Sequence, residues 1–271
     1  MLISNRATNI LLVAILAIGI GIVAMLASGA RGGPLDPPGP PASTDSVQLP
    51  GTPITSLPFT ITLPGHYYVT RSLTGATGQS GITVSTSNVS IDLGGFTLTG
   101  GTTPGSGVSV GSLRNVTIRN GALRGWNFGI LGTGCGNCRV DGVQASSSAA
   151  TGIDIGPQSV VSDCNASLNN LGIAGTSITI RNCTISENQT YGIQLTGDSS
   201  LVEDSRVNVN ADIGIGISGS RNMIHDNQLS GNVLEDIRLE PSATFNVFTG
   251  NVDCNGIDLG TNNGSGTGNF C

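Results

Sequence analysis

Apolar positions along this chain recur in short alternations rather than in helical stripes. The stretch Gly172 to Tyr191, GIAGTSITIRNCTISENQTY, opens on Gly172-Ile173, continues as Ile178-x-Ile180, turns at Asn182-Cys183 and closes its apolar set at Ile185. The same template runs before and after it. Openers fall at Gly81-Ile82, Gly107-Val108, Gly129-Ile130, Gly152-Ile153, Gly172-Ile173, Gly192-Ile193, Gly214-Ile215 and Asp236-Ile237, with successive spacings of 26, 22, 23, 20, 20, 22 and 22 residues. A second landmark, apolar-x-(Asn/Asp)-x-x-apolar, keeps that period as Ile118-Asn120-Leu123, Val161-Asp163-Ala166, Ile180-Asn182-Ile185, Val202-Asp204-Val207 and Ile224-Asp226-Leu229.

A repeat of this length, built from short Ile/Val segments between Gly, Asn and Ser, is too short for helical hairpins, propeller blades or ankyrin units. It suits three short strands per coil. Stacked coils place each strand beside its equivalent one turn away, about 4.8 Å off, in parallel sheets whose inward residues form one continuous core. The pattern predicts an all-β fold, a single-stranded right-handed parallel β-helix (solenoid) of about eight coils of roughly 20–26 residues with three short strands each. No residue pattern sets its hand; general strand chirality and the family resemblance of residues 53–126 supply it. Asn and Asp recur at the turn because they tolerate the left-handed conformation a corner needs, and stacked Asn side chains can hydrogen-bond along the axis as a ladder.

The flanks have a different composition. Residues 1–9 carry one Arg, and Ile10 to Ala27 is an uncharged apolar run of 18 residues. That run is an export signal or a membrane anchor: the small residues Ser28 and Ala30 favour cleavage before Arg31, whereas 18 apolar residues also just span a bilayer. Both alternatives place the remainder outside the cytoplasm, secreted or anchored by residues 10–27. Residues 31–58 hold eight of the twelve prolines with no apolar period and read as an extended tether. The segment 59–73, FTITLPGHYYVTRSL, reads as an N-terminal cap with His66 beside Tyr67 and Tyr68. The expected domains are therefore 1–30 signal or anchor, 31–58 linker, 59–253 β-helix including its cap, and 254–271 a C-terminal closure.

Six cysteines in an exported chain argue for disulfides rather than metal. Cys164 and Cys183 follow the turn position in adjacent coils, which puts them within bridging reach. Cys254 and Cys271 would close the C-terminal loop, a cross-link of roughly 3 kcal/mol in the chain-entropy model. Cys135 and Cys138 form C-x-x-C without the strand-to-helix context of a redox motif and without a second pair for zinc, so a local bridge is expected.

Charge narrows the function classes. The chain has eleven Arg, no Lys and seventeen acidic residues, for a net charge of −6. Schiff-base catalysis by lysine is excluded, and nothing concentrates positive charge for nucleic acid. The acidic balance also disfavours long-range attraction of polyanionic polysaccharides unless a metal intervenes.

The run PITSLPFTITLPGHYYVTRSLTG (53–75), followed by GITVSTSNVSIDLGGFTLTG (81–100) and NVTIRNGALRGW (115–126), resembles the opening of bacterial secreted right-handed parallel β-helix repeat proteins of the pectin-lyase-like fold superfamily. The resemblance covers about 53–271. It implies fold and export, because that group is largely without assigned activity; better-known superfamily members are polysaccharide lyases, hydrolases, epimerases, adhesins and phage spikes. No catalytic motif of those enzymes carries over, since the Asp-Pro-His-Glu run of mannuronan epimerases and the dense Asp cluster of pectate lyases are both absent.

Candidate chemistry then rests on predicted outward rows. The residue before each turn site reads Asp92, Arg119, Asp141, Ser162, Arg181, Glu203, His225, Phe248. Glu203 and His225, one coil apart, could do acid–base work beside Arg181 on a uronate-like sugar. The same row also reads as exposed cross-strand pairs worth no more than about 1 kcal/mol each. The opener row reads Thr83, Ser109, Leu131, Asp154, Ala174, Gln194, Gly216, Arg238. Asp154, Gln194 and Arg238 there suit carbohydrate contact better than bond cleavage, which needs two carboxylates or a metal-assisted base. Trp126, the single Trp, either stacks on a sugar or covers the core at a corner. Asp204 and Asp226 near Glu203 could hold Ca²⁺, although turn formation explains them equally; no other cofactor and no other metal is implied. The sequence thus leaves a non-catalytic surface for polysaccharide or envelope partners, a polysaccharide-processing enzyme and a structural spacer.

Overall fold

The computed structural model describes residues 51–252, 256–258 and 261–265. The chain divides into units 1–49 and 50–271, and the described residues belong to the second. The apolar run 10–27, most of the tether, Cys254 and Cys271 lie outside the described residues. Among the described residues, no helix is long and apolar enough to cross a membrane.

The strands pair in parallel, coil upon coil. Among the described residues, ten opener strands form one sheet, from Phe59–Ile61 through Thr151–Ile155 and Tyr191–Leu195 to Gly256–Asp258. Seventeen of the described strands form the other sheet, which takes two strands from most coils, such as Val160–Ser162 and Asn165–Ser167. These two runs merge because Val116–Arg124 and Arg139–Ser146 pass the corner unbroken. Register is strict: Ile130, Ile153, Ile173, Ile193, Ile215 and Ile237 stack one above another. All six are buried, so the period read from the openers is the period of the core.

Among the described residues the first strand is Thr52–Ile54, inside the stretch expected to be tether, and it pairs with Tyr67–Val69. Ile54 is buried and Leu57 packs on the core; two apolar residues among prolines left no readable period. Nearby, His66 stacks on Tyr68 and Phe59 meets Tyr67 edge-on.

The corners show why Asn and Asp recur. Asn120, Asp163, Asn182, Asp204 and Asp226 all have positive φ, between 49° and 59°. On the outside, Asn137 donates to Asn115 at 2.7 Å and Asn115 to Asn88 at 2.8 Å. The inside carries a device the pattern did not reveal. In three columns of corners the residue after the left-handed position turns inward, and its side chain accepts the backbone N–H of its counterpart one coil earlier. Along one corner the Oδ1 atoms of Asn169, Asn188, Asn210 and Asn232 accept from Ser148, Asn169, Asn188 and Asn210 at 2.9, 3.0, 3.1 and 3.0 Å. Along another, Ser200, Asn222 and Asn246 accept from Ile178, Ser200 and Asn222. These columns satisfy buried N–H groups that a turn would otherwise strand.

Cys164 and Cys183 stand in the third column and are unbridged, which corrects the expected disulfide. In-register stacking keeps the two side chains parallel, and each sulfur does the work of a ladder acceptor. Cys164 Sγ accepts the Val143 N–H at 3.5 Å and Cys183 Sγ that of Cys164 at 3.4 Å, while Ser205 and Asn227 continue the column. Contact with Cys183 and burial push the Cys164 thiol well up, so it stays protonated. Cys135 and Cys138 form the expected local bridge.

Candidate functional site

The outward row before the corner is in register from Asp92 through Arg119, Asp141, Ser162, Arg181 and Glu203 to His225. Its last member is Thr249 rather than Phe248, because Phe248 pairs with Ile224 in the inward row. Stacking brings Glu203 and His225 together as the sequence suggests: His225 Nε2 is 3.1 Å from Glu203 Oε2. The other ring nitrogen lies 3.0 Å from Asp226 Oδ2, a partner assigned from sequence only to a turn or to calcium. The cluster is thus a ring held between two carboxylates. Arg181 is in register beside Glu203 and adds to the field that, after the Ser162 hydroxyl and Arg139, keeps Asp141 below the usual carboxylate range. Asp204 sits at an exposed corner. Among the described residues, no three or more His, Cys, Asp or Glu side chains are arranged as metal ligands.

The opener face carries Asp154, Ala174, Gln194, Gly216 and Arg238 in register. A residue missed by row counting completes it. Tyr191 starts the Gln194 strand, and its ring covers Gly216: a Cβ there would stand 2.5 Å from Tyr191 Cε1. The signal for it was the glycine, since a strand gives up an outward side chain where something must lie on its backbone. Arg238 Nε donates to Glu235, and that bond raises the already high guanidinium pKa. Both side chains are mostly buried.

Asp154 lies half-buried on this face, and burial pushes its carboxyl up to about 6. The unfolded value is 3.8, so the folded state binds this proton more tightly. The resulting stabilisation is complete below pH about 4 and lost as pH rises through about 6. Asp154→Asn should therefore stabilise the fold at pH 7.5 by about 1 kcal/mol, a figure already reduced for partial exposure, and change it little at pH 4. Thermal unfolding at the two pH values checks this; equal shifts at both would refute burial as the cause.

Trp126 is corrected from the sugar-stacking candidates. It is 1 % exposed, and its Nε1–H donates to the Leu98 carbonyl at 2.9 Å. The ring fills space left by glycines: a Cβ on Gly75, Gly81 or Gly107 would stand 2.4, 2.9 or 3.1 Å from it.

A family model described as right handed beta helix region matches residues 80–269. No curated protein matches the chain. Among solved structures, it is similar to a protein of Geobacillus virus E2, ORF18, at 15% identity and TM-score 0.55, covering 77% of this chain and 53% of that one. It is also similar to the Azotobacter vinelandii mannuronan C-5 epimerase AlgE6 A-module, at 12% identity and TM-score 0.52, covering 76% and 82%. The periplasmic alginate epimerase AlgG gives 13% identity and TM-score 0.50, covering 69% and 60%. The chain thus spans about three-fifths of AlgG and half of the virus protein, and what is shared at these identities is the fold. With its parallel coils, isoleucine columns and corner ladders in place, the chain belongs to the right-handed β-helix family.

Proposed function

We propose that this protein is an extracytoplasmic β-helix scaffold that binds polysaccharide on its opener face without cleaving it. The observation that carries the reading is Tyr191 laid over Gly216 between Gln194 and the Arg238–Glu235 pair. An aromatic face flanked by an amide and a fixed charge-assisted pair is suited to sugar rings, which stack by their C–H faces and bond by their hydroxyls. Glycoside cleavage instead needs a carboxyl pair flanking the bond at roughly 5–5.5 or 6.5–9.5 Å. On the other face Glu203, Asp226, Asp92 and Asp141 are engaged with His225, Arg119 and Arg139. The apolar run 10–27 supports export.

The test is a polysaccharide and oligosaccharide screen on the purified protein, with and without calcium, read for binding and for release of unsaturated or reducing ends. Saturable binding without product is expected, weakened at least tenfold in Tyr191→Ala with the unfolding midpoint retained. Unchanged affinity in that variant would refute the opener face. A second reading, an enzyme working through Glu203 and His225, is favoured by their 3.1 Å contact. It predicts product that disappears in Glu203→Gln and His225→Ala. Silence in both channels would leave a structural spacer.

A further inference from the structure

The outward row of the second sheet holds a feature that neither candidate uses. Where the coils at Asp92, Arg119 and Asp141 stack, a surface groove of about 350 Å³ opens, lined by Asp92, Arg119, Asn120, Asp141 and Gly142. That volume falls at the lower end of small-molecule sites, roughly 300–1,000 Å³. Gly142 has φ +60°, and nothing stands within 4 Å of the place a Cβ would occupy, so the backbone there is open to an incoming group.

The walls are fixed before any ligand arrives. Asp92 Oδ1 accepts the Gly94 N–H at 2.8 Å and the Asn120 amide at 3.2 Å, while its Oδ2 meets Arg119 at 3.0 Å. Asp141 Oδ1 accepts from the buried Ser162 hydroxyl at 2.6 Å and from Arg139 at 3.1 Å. Both acids are thus anchored through Oδ1, which leaves Asp141 Oδ2 as an oriented acceptor. Arg119 is about half exposed and spends one Nη on Asp92, leaving guanidinium donors turned to solvent. A fixed acceptor beside fixed donors matches a sugar diol, in which each hydroxyl both donates and accepts. The charge decides between sugars. Arg119 is already paired with Asp92 and Arg139 with Asp141, so a uronate would have to compete with a carboxylate held at each guanidinium, whereas a neutral ring would not.

We propose that this groove is a second carbohydrate subsite, on a different sheet from the opener face, and that it takes neutral sugar residues. The ligand class rests on the polysaccharide reading above, but the location does not. Successive coils about 4.8 Å apart let the row track a chain along the helix axis over about 10 Å.

The test is calorimetric titration of the purified protein with neutral hexaoses (cello-, laminari- and maltohexaose) and with an oligogalacturonate, using wild type, Tyr191→Ala, Arg119→Ala and Asp141→Asn. A neutral hexaose is expected to show two binding components on wild type: Tyr191→Ala should lose the opener-face component and keep the groove component, whereas Arg119→Ala and Asp141→Asn should weaken the groove component at least tenfold and keep the other, with no groove component from the oligogalacturonate. Because Arg119 is half exposed, its variant should retain the wild-type unfolding midpoint even if Asp141→Asn does not. Wild-type affinity in Arg119→Ala, or competition by the oligogalacturonate, would overturn the groove. A single component lost only in Tyr191→Ala would remove the groove and leave the opener face standing, a single component lost only in Arg119→Ala would do the reverse, and no binding by wild type would remove both.

Discussion

Asn188→Ala is expected to lower the stability of the β-helix by about 3–5 kcal/mol, although it deletes no apolar contact of consequence. Asn188 is fully buried. Its Oδ1 accepts from the backbone and side-chain amides of Asn169, at 3.0 and 3.2 Å, and its Nδ2 donates to the Ala166 carbonyl and to Asn210 Oδ1, at 3.1 and 2.9 Å. Truncation strands a backbone N–H, a carbonyl and parts of two neighbouring amides where water cannot replace them. Each buried unpaired group costs about 1–3 kcal/mol. Because a solenoid is held by nearest-neighbour interfaces, the break falls between coils and weakens coupling across it. The control is Asn182→Ala at the exposed corner, where φ is 51° and the cost should be only about 1–2 kcal/mol, for putting Ala in the left-handed region. Denaturant unfolding followed by circular dichroism gives both values. Equal losses in the two variants would show that the inward ladder holds nothing the outward one does not.

Trp126→Ala should cost about 3–5 kcal/mol, by removing a buried aromatic ring and orphaning the Leu98 carbonyl. The fit is specific to this side chain, since Gly75, Gly81 and Gly107 all leave room for the ring. A glycan-stacking residue would behave oppositely, losing affinity while keeping stability. Unfolding midpoints and glycan affinity measured on the same variant separate the two roles: a stable Trp126→Ala protein with lost binding would reverse the placement made here.

The candidate site divides along similar lines. Glu203 and His225 could be paired from sequence because they share a row and lie one repeat apart, and a parallel solenoid converts equal repeat positions into contact. Asp226 could not be added, because the residue after an outward position belongs by period to another face, and only the left-handed corner swings it back to the ring. Tyr191 escaped for the reason that a ring three residues from Gln194 reaches the row across coils, over Gly216. The Arg119 groove depends on which oxygens are already engaged, which no spacing reports.

What the sequence determined by itself was the coil. Its period, its inward Ile and Val positions and its Asn and Asp corners are local in cause, through strand alternation and the cost of a left-handed residue. Repetition then multiplies a local rule into a fold. What only the tertiary structure decided is how side chains choose partners between coils. Cys164 and Cys183 lie one repeat apart and look fit to bridge, yet each sulfur is used by a backbone N–H of the coil before it. By sequence Trp126 could stack on a sugar or cover the core, yet three glycines earlier in the chain enclose its ring. The period reports adjacency, but the assignment of a partner depends on which buried polar groups and which empty volumes the neighbouring coils leave, and satisfying those outweighs any pairing suggested by adjacency alone.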